Sequence, residues 1–536
     1  MNNSIPSGVG LSPARRLSKT SAALVATVLF ITPLLAEVKL ASPFTSHMVL
    51  QREMKVPVWG TAEVGEQITV EFAGQTKSAT AGTDGRWRVD LDPLTTSAEG
   101  RGFAVTGTKS TALLKLDDVL VGEVWLGSGQ SNMVFPVSAA RASYAGLLNE
   151  AEEIAAAKYP LIRMFTARDA KTYEPQEKVA GGEWLVCSPE TVPNFSAVGF
   201  LFARDLQKEL NVPVGILLVA SGASCAEAWI SREALAADPQ LKFMLDSLDA
   251  CEKFFRLNPP GLPADAPKRP TPINKPRATG GRGGASDPAR DQHFATVLFN
   301  GMLNPVIPYA IRWALWYQGE SICWGTPGLN LYGAVQRAMI KDWRARWGEG
   351  DFPFYLVQLP GQQNISNNPV IREQQAAVLS VPKTAMAVTI DLGEAKNVHP
   401  HNKAPLGDRL TRIALANTYG RTIEFSGPVF ASLRVEGSNA RIAFTHVGGG
   451  LVAKGGALKG FQVAGGDQKF ADAEARIDGD TLVVSSAQVA APVAVRYAWD
   501  NYPEGLGCNL SSAAGLPAAP FRTDHWDYPI AGIVEH

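Results

Sequence analysis

Between residues 119 and about 420, five short apolar runs alternate with segments whose apolar residues recur at helical spacing. The runs are 119–126, 214–220, 311–317, 354–359 and 385–390. Each is too short for an ordinary helix and too continuous for a strand with one wet face, which is the pattern of parallel strands buried on both sides. Segment 198–210 sets Val198, Leu201, Phe202 and Leu206 on one helical face, and 332–347 and 406–419 behave in the same way. The alternation predicts a mostly parallel, doubly wound α/β sheet over residues 119–420.

The flanks obey a different rule. Residues 37–118 carry short strand signals at 56–59, 67–72 and 86–91, the last after the turn Asp84-Gly85, and read as a β-sandwich region. Residues 421–536 return to short strands at 429–435, 440–444, 481–485 and 493–499, separated by glycine-rich turns. The two β regions can be separate domains or pack together. Residues 258–290 hold eight prolines and several Gly-Gly pairs, too few apolar groups for a core, and read as a surface loop or lid.

At the N-terminus, Arg15, Arg16 and Lys19 precede an apolar stretch, 21–35, that ends at Ala36. Thr27, Thr32 and Pro33 interrupt it, so it is short for a membrane span and reads as a secretory signal over 1–36. The expected product is exported, periplasmic or secreted, by the general or the twin-arginine route, with no stable membrane insertion once the signal is removed. A formal charge of −1 leaves no basic excess for phosphates, which argues against nucleic acid as a partner. The five cysteines, Cys187, Cys225, Cys251, Cys323 and Cys508, are odd in number, so at least one is unpaired. They form no Cys-x-x-Cys pair, so neither a zinc site nor a redox motif has support in the sequence.

In open α/β sheets, ligands bind beyond the carboxyl ends of the strands. After the first run comes Gly129-Gln130-Ser131-Asn132; after the second, Ser221-Gly222-Ala223-Ser224; after the third, Gln318-Gly319-Glu320-Ser321; after the fifth, Asp391 and then His399-Pro400. Together these supply the parts of acyl transfer: Ser131 to attack, His399 to take and return its proton, and a carboxylate to orient the imidazole. The amides of Ser131 and Gly222 and the side chain of Gln318 are candidates for the oxyanion hole. Each has a plain alternative in isolation: Ser131 a helix cap, Gly222 a turn residue, Gln318 part of a polar loop, His399 a surface histidine. Their common position at one sheet edge favours the catalytic reading. Met133 stands where the α/β-hydrolase motif Gly-x-Ser-x-Gly has its second glycine, so another serine hydrolase architecture is implied.

Three blocks, Gly129-Gln130-Ser131-Asn132-Met133, Trp316-Tyr317-Gln318-Gly319-Glu320-Ser321, and His399-Pro400 with Lys403, Gly407, Arg409 and Leu410, resemble the signatures of the sialate O-acetylesterase group of SGNH hydrolases. The resemblance extends upstream through 44–52 and 56–60, and downstream through 496–499 and 517–524. It implies a flavodoxin-like α/β/α three-layer fold and hydrolysis of acetyl esters on carbohydrate, through Ser131 as nucleophile and His399 as base, with no metal or organic cofactor. The substrate class implied is acetylated plant-wall polysaccharide such as xylan or xyloglucan, or O-acetylated sialic acid. Trp229 and Trp324, with Trp316, are candidate faces for a sugar ring.

The chain departs from that pattern at Lys396, where related enzymes often carry the triad aspartate, and at Ala223, where a second glycine is usual; Ile322 replaces an asparagine. The orienting carboxylate is then Asp391, Glu320 or Glu394, in that order, unless a Ser-His dyad suffices. Two rivals follow from other chemistry: a non-catalytic carbohydrate-binding protein, and an esterase for lipid-like acyl chains.

Overall fold

The computed structural model describes residues 37–110, 113–257, 287–322 and 328–528. The expected signal, most of the 258–290 loop, Cys323 and Trp324 lie outside the described residues. Seven strands build the central sheet: β1 (Leu114–Gly129), β2 (Tyr159–Thr166), β3 (Trp184–Cys187), β4 (Val214–Ala220), β5 (Trp313–Tyr317), β6 (Phe354–Val357) and β7 (Thr384–Ala387). Their order in space is β3-β2-β4-β1-β5-β6-β7, parallel throughout except that β3 runs antiparallel to β2. Every residue of β4 and β6 is buried, as strands covered on both faces require.

β1 is longer than its apolar run. Its first five residues alternate in exposure and the last eleven are all buried; pairing with the N-terminal strands Ser97–Gly107 and Val49–Gln51 runs as far as Gly122, and from Glu123 the strand pairs with β4 and then β5. One strand therefore carries the chain from the N-terminal β region into the α/β region, through the position where the composition changes. Buried Glu123 fixes the junction, accepting from Arg52 Nε at 2.5 Å and from Arg312 Nε at 2.9 Å. A carboxylate so far from water requires partners of this kind.

The predicted helices form at Ala197–Leu210, Tyr332–Trp347 and Ala404–Asn417. Ser196 caps the first, its hydroxyl accepting from Gly199 N at 3.0 Å, and Asn211 ends it in the left-handed conformation. Helices Ala197–Leu210 and Ala404–Asn417 pack together, and Tyr332–Trp347 packs on Asn368–Ala377.

The C-terminal β region holds two four-stranded sheets and a two-stranded one. It docks on helix Asn368–Ala377 and the loops beside it. Arg372, almost fully buried, donates from one nitrogen to Asp500 O at 2.7 Å, Arg522 clasps Glu373 at 2.7 and 2.9 Å, and Gly393 N donates to Glu504. Among the described residues Cys187, Cys251 and Cys508 are free, and no helix is long and apolar enough to cross a membrane.

Candidate active site

β1 lies between β4 and β5, so the residues that follow these three strands meet at one edge of the sheet. The chain order reverses around β1, which is where an open α/β sheet leaves its crevice. Gly129 makes the turn there possible. Its φ is +136°, and a Cβ would lie 2.1 Å from the Tyr317 carbonyl oxygen. Only glycine allows the ends of β1 and β5 to come so close. Gln130 N then donates to Tyr317 O at 3.0 Å, and Gln130 Oε1 accepts from Gly319 N and Ser321 N at 3.3 and 3.4 Å.

Ser131 opens a one-turn helix, Ser131–Val134, and Met133 behind it is buried in the core. Its Oγ lies 2.7 Å from His399 Nε2. Gly222 borders the serine: a Cβ there would meet only the Ser131 Cβ, at 3.8 Å. Among the described residues neither the Ser131 nor the Gly222 amide donates a hydrogen bond, so both remain available to an oxyanion. Gln318 is engaged differently from the expectation. Fully buried, it donates from Nε2 to Ser224 O at 2.9 Å and accepts at Oε1 from Tyr332 OH at 2.7 Å. It braces the loop that carries Gly222 rather than facing the serine through that bond.

No carboxylate among the described residues makes a hydrogen bond to the His399 ring. Asp391 is held by Arg409, whose two terminal nitrogens reach its two oxygens at 2.7 and 2.6 Å. Glu394 receives His401 N at 2.7 Å and His401 Nδ1 at 3.0 Å. Glu320 is buried and bonded to Asn132 Nδ2, with its second oxygen unpartnered among the described residues; burial raises its pKa above the ordinary carboxylate value. The three expected carboxylates thus have other partners.

His399 is held by other contacts. Asn397 brackets its backbone, accepting from His399 N at 3.0 Å and donating to His399 O at 2.8 Å. The Tyr144 ring lies against the imidazole with centroids 4.5 Å apart. Burial, with Lys403 and His401 nearby, pushes its pKa down to about 4. The ring is therefore neutral at neutral pH and able to accept the serine proton at Nε2. Tyr144 and Asn397 carry no motif that would have singled them out in the sequence; they reach the site only through the fold.

The tryptophans take a different place from the one expected. Trp229 is fully buried, donating to Ser224 Oγ at 3.0 Å and meeting Trp316 edge to face at 6.3 Å, and Trp316 is equally buried. Neither offers a face to a sugar. The rim is polar instead: Ser221 Oγ bonds Asp169, which pairs with Lys171 at 2.7 Å. Among the described residues no cluster of three or more His, Cys, Asp or Glu side chains could hold a metal ion.

The family model of carbohydrate esterases described as sialic acid-specific acetylesterase matches residues 298–416. Mouse sialate O-acetylesterase is 29% identical over 90% of this chain and 94% of its own. The human sialate O-acetylesterase is 28% identical over 90% and 92%. A crystal structure of a carbohydrate acetylesterase from Xanthomonas citri superposes with a TM-score of 0.77 at 32% identity, covering 91% of this chain and 100% of that one. The chain belongs to the sialate O-acetylesterase family of carbohydrate esterases, which are carboxylic ester hydrolases.

Proposed function

We propose that this protein is an exported serine esterase that removes acetyl groups from carbohydrate through an acetyl-enzyme on Ser131, within an SGNH-type α/β/α domain. The observation that carries the reading is the 2.7 Å contact between Ser131 Oγ and His399 Nε2 at the β1 switch point. His399 takes the hydroxyl proton as Oγ bonds to the acetyl carbon, and the oxyanion is met by the Ser131 and Gly222 amides. The proton passes to the departing sugar oxygen as the ester bond breaks. His399 next deprotonates a water that attacks the acetyl-enzyme, and returns that proton to Ser131 as acetate leaves. With no carboxylate on the ring among the described residues, Ser131 and His399 work as a dyad.

Plant-wall polysaccharide bearing acetyl esters is the favoured substrate class, with O-acetylated sialic acid the second. The polar rim of Ser221, Asp169 and Lys171 suits a sugar better than an acyl chain. Ser131→Ala should abolish hydrolysis of p-nitrophenyl acetate and labelling by a fluorophosphonate while the protein stays folded; wild-type turnover in that variant would exclude the serine mechanism. Acetate release from acetylated xylan, xyloglucan, pectin and sialic acid would rank the substrates. Preference for octanoyl over acetyl esters would favour the lipid esterase instead.

A further inference from the structure

Asn132 follows the nucleophile, and its side chain is wholly buried. Nδ2 donates to Val398 O at 2.9 Å and to Glu320 Oε1, and Oδ1 accepts from Lys403 Nζ at 2.6 Å. Val398 immediately precedes His399, so one amide runs from the serine turn to the histidine loop. Lys403 closes the same loop from its other end. Its ammonium is nearly inaccessible to water and lies over the rings of Phe135 and Tyr317 at 4.8 and 5.2 Å.

Burying an ammonium and a carboxylate on either side of one amide costs several kcal/mol that an apolar core would not incur. Such an arrangement is retained where position matters more than stability. A triad fixes its imidazole through a carboxylate on the second ring nitrogen, and among the described residues His399 has none.

We propose that Asn132, backed by Lys403 and Glu320, is the positioning residue that sets His399 against Ser131 in place of that carboxylate. The inference rests on the Ser131–His399 reading above. The charged and titratable groups that face the ring from its surroundings are Tyr144, which packs on it, His401, held by Glu394, and Lys403; Asp391 is neutralised by Arg409. Lys403 opposes protonation of the imidazole by its charge, more strongly than His401 does.

The test compares Asn132→Asp, Lys403→Met and Ser131→Ala with the wild-type chain, on p-nitrophenyl acetate from acid to neutral pH, with melting curves to confirm folding. Asn132→Asp still accepts from Lys403 but cannot donate to Val398 or Glu320. It should lose about 10-fold to 100-fold in kcat with KM changed less than about threefold. Lys403→Met removes the cation, so the acid limb of kcat/KM should move to higher pH by about 0.5 or more. A residue that only fills space would move neither. Wild-type kcat in Asn132→Asp overturns the proposal, as does an unmoved acid limb in folded Lys403→Met; if the latter does not fold, kcat of Asn132→Asp decides alone. Wild-type turnover in Ser131→Ala would instead overturn the dyad on which the inference stands.

Discussion

Arg409 grips both oxygens of Asp391, at 2.7 and 2.6 Å, and also donates to Val388 O at 2.6 Å. The carboxylate four residues beyond the last central strand is thus a clamp between helix Ala404–Asn417 and the loop ahead of His399. Removing a triad aspartate typically costs about 10⁴ in kcat. Asp391→Asn should instead lower kcat/KM by less than about tenfold, together with a small fall in melting temperature. Steady-state kinetics on p-nitrophenyl acetate check this; a loss of about 10⁴ would make Asp391 the orienting carboxylate after all.

The second prediction concerns pH. His399, as the proposed base, acts only while neutral, and burial with the nearby Lys403 and His401 holds its pKa down to about 4, below the ordinary 6.5. Protonation, and with it loss of activity, is therefore postponed to lower pH. The rate plateau of kcat/KM should extend down to about pH 5 and fall through an apparent pKa of about 4 as the medium becomes more acid. An acid limb centred on 6.5 would mean that the ring is solvated in the working enzyme.

Much of the fold could be read from apolar pattern alone, because β4 and β6 are buried on both faces and helix Ala197–Leu210 on one. β2 escaped that reading. Its sequence contains Pro160 and Arg163, which no apolar template accepts, yet Arg163 is buried with its guanidinium on Asp118 and the Pro160 carbonyl. The outer half of β1 was hidden for a related reason. It alternates in exposure because it belongs to the N-terminal sheet, so only its inner half looks like a central strand.

At the site, residues that lie directly at strand ends were legible and those acting across space were not. Ser131 and Gly222 come together because β1 and β4 are adjacent, and the long loop after the outer strand β7 carries His399 across to the serine. Asp391 looked equally well placed, but nothing in the sequence reveals that Arg409 claims it one helix later. Lys403 stood in a recognised block without a role, because its contact with Asn132 joins positions 271 residues apart.

Gly129 should tolerate no side chain. A methyl group there would sit 2.1 Å from Tyr317 O and 2.7 Å from Tyr317 C, both backbone atoms, at a φ of +136°. The ends of β1 and β5 would have to separate, which disturbs both Ser131 and the 318–321 loop. Gly129→Ala is expected to cost about 2 kcal/mol or more in urea unfolding, and to reduce kcat even where the protein remains folded. Unchanged stability would show that the strand ends can part freely.

Ala223 presents the opposite case. It adopts φ +56°, the left-handed region, directly after Gly222 on the exposed rim of the site. A Cβ in that conformation costs roughly 1–2 kcal/mol, whereas a glycine would lose about 0.4–1 kcal/mol more entropy on folding. The balance favours glycine modestly. Ala223→Gly should therefore stabilise the protein by about 0.5–1 kcal/mol in urea unfolding. Because the backbone path is unchanged, the Gly222 amide stays beside Ser131, and kcat/KM on p-nitrophenyl acetate should stay within about twofold of wild type. A stabilised variant that loses activity would mean that the strain at Ala223 is part of how the loop presents Gly222 to the oxyanion.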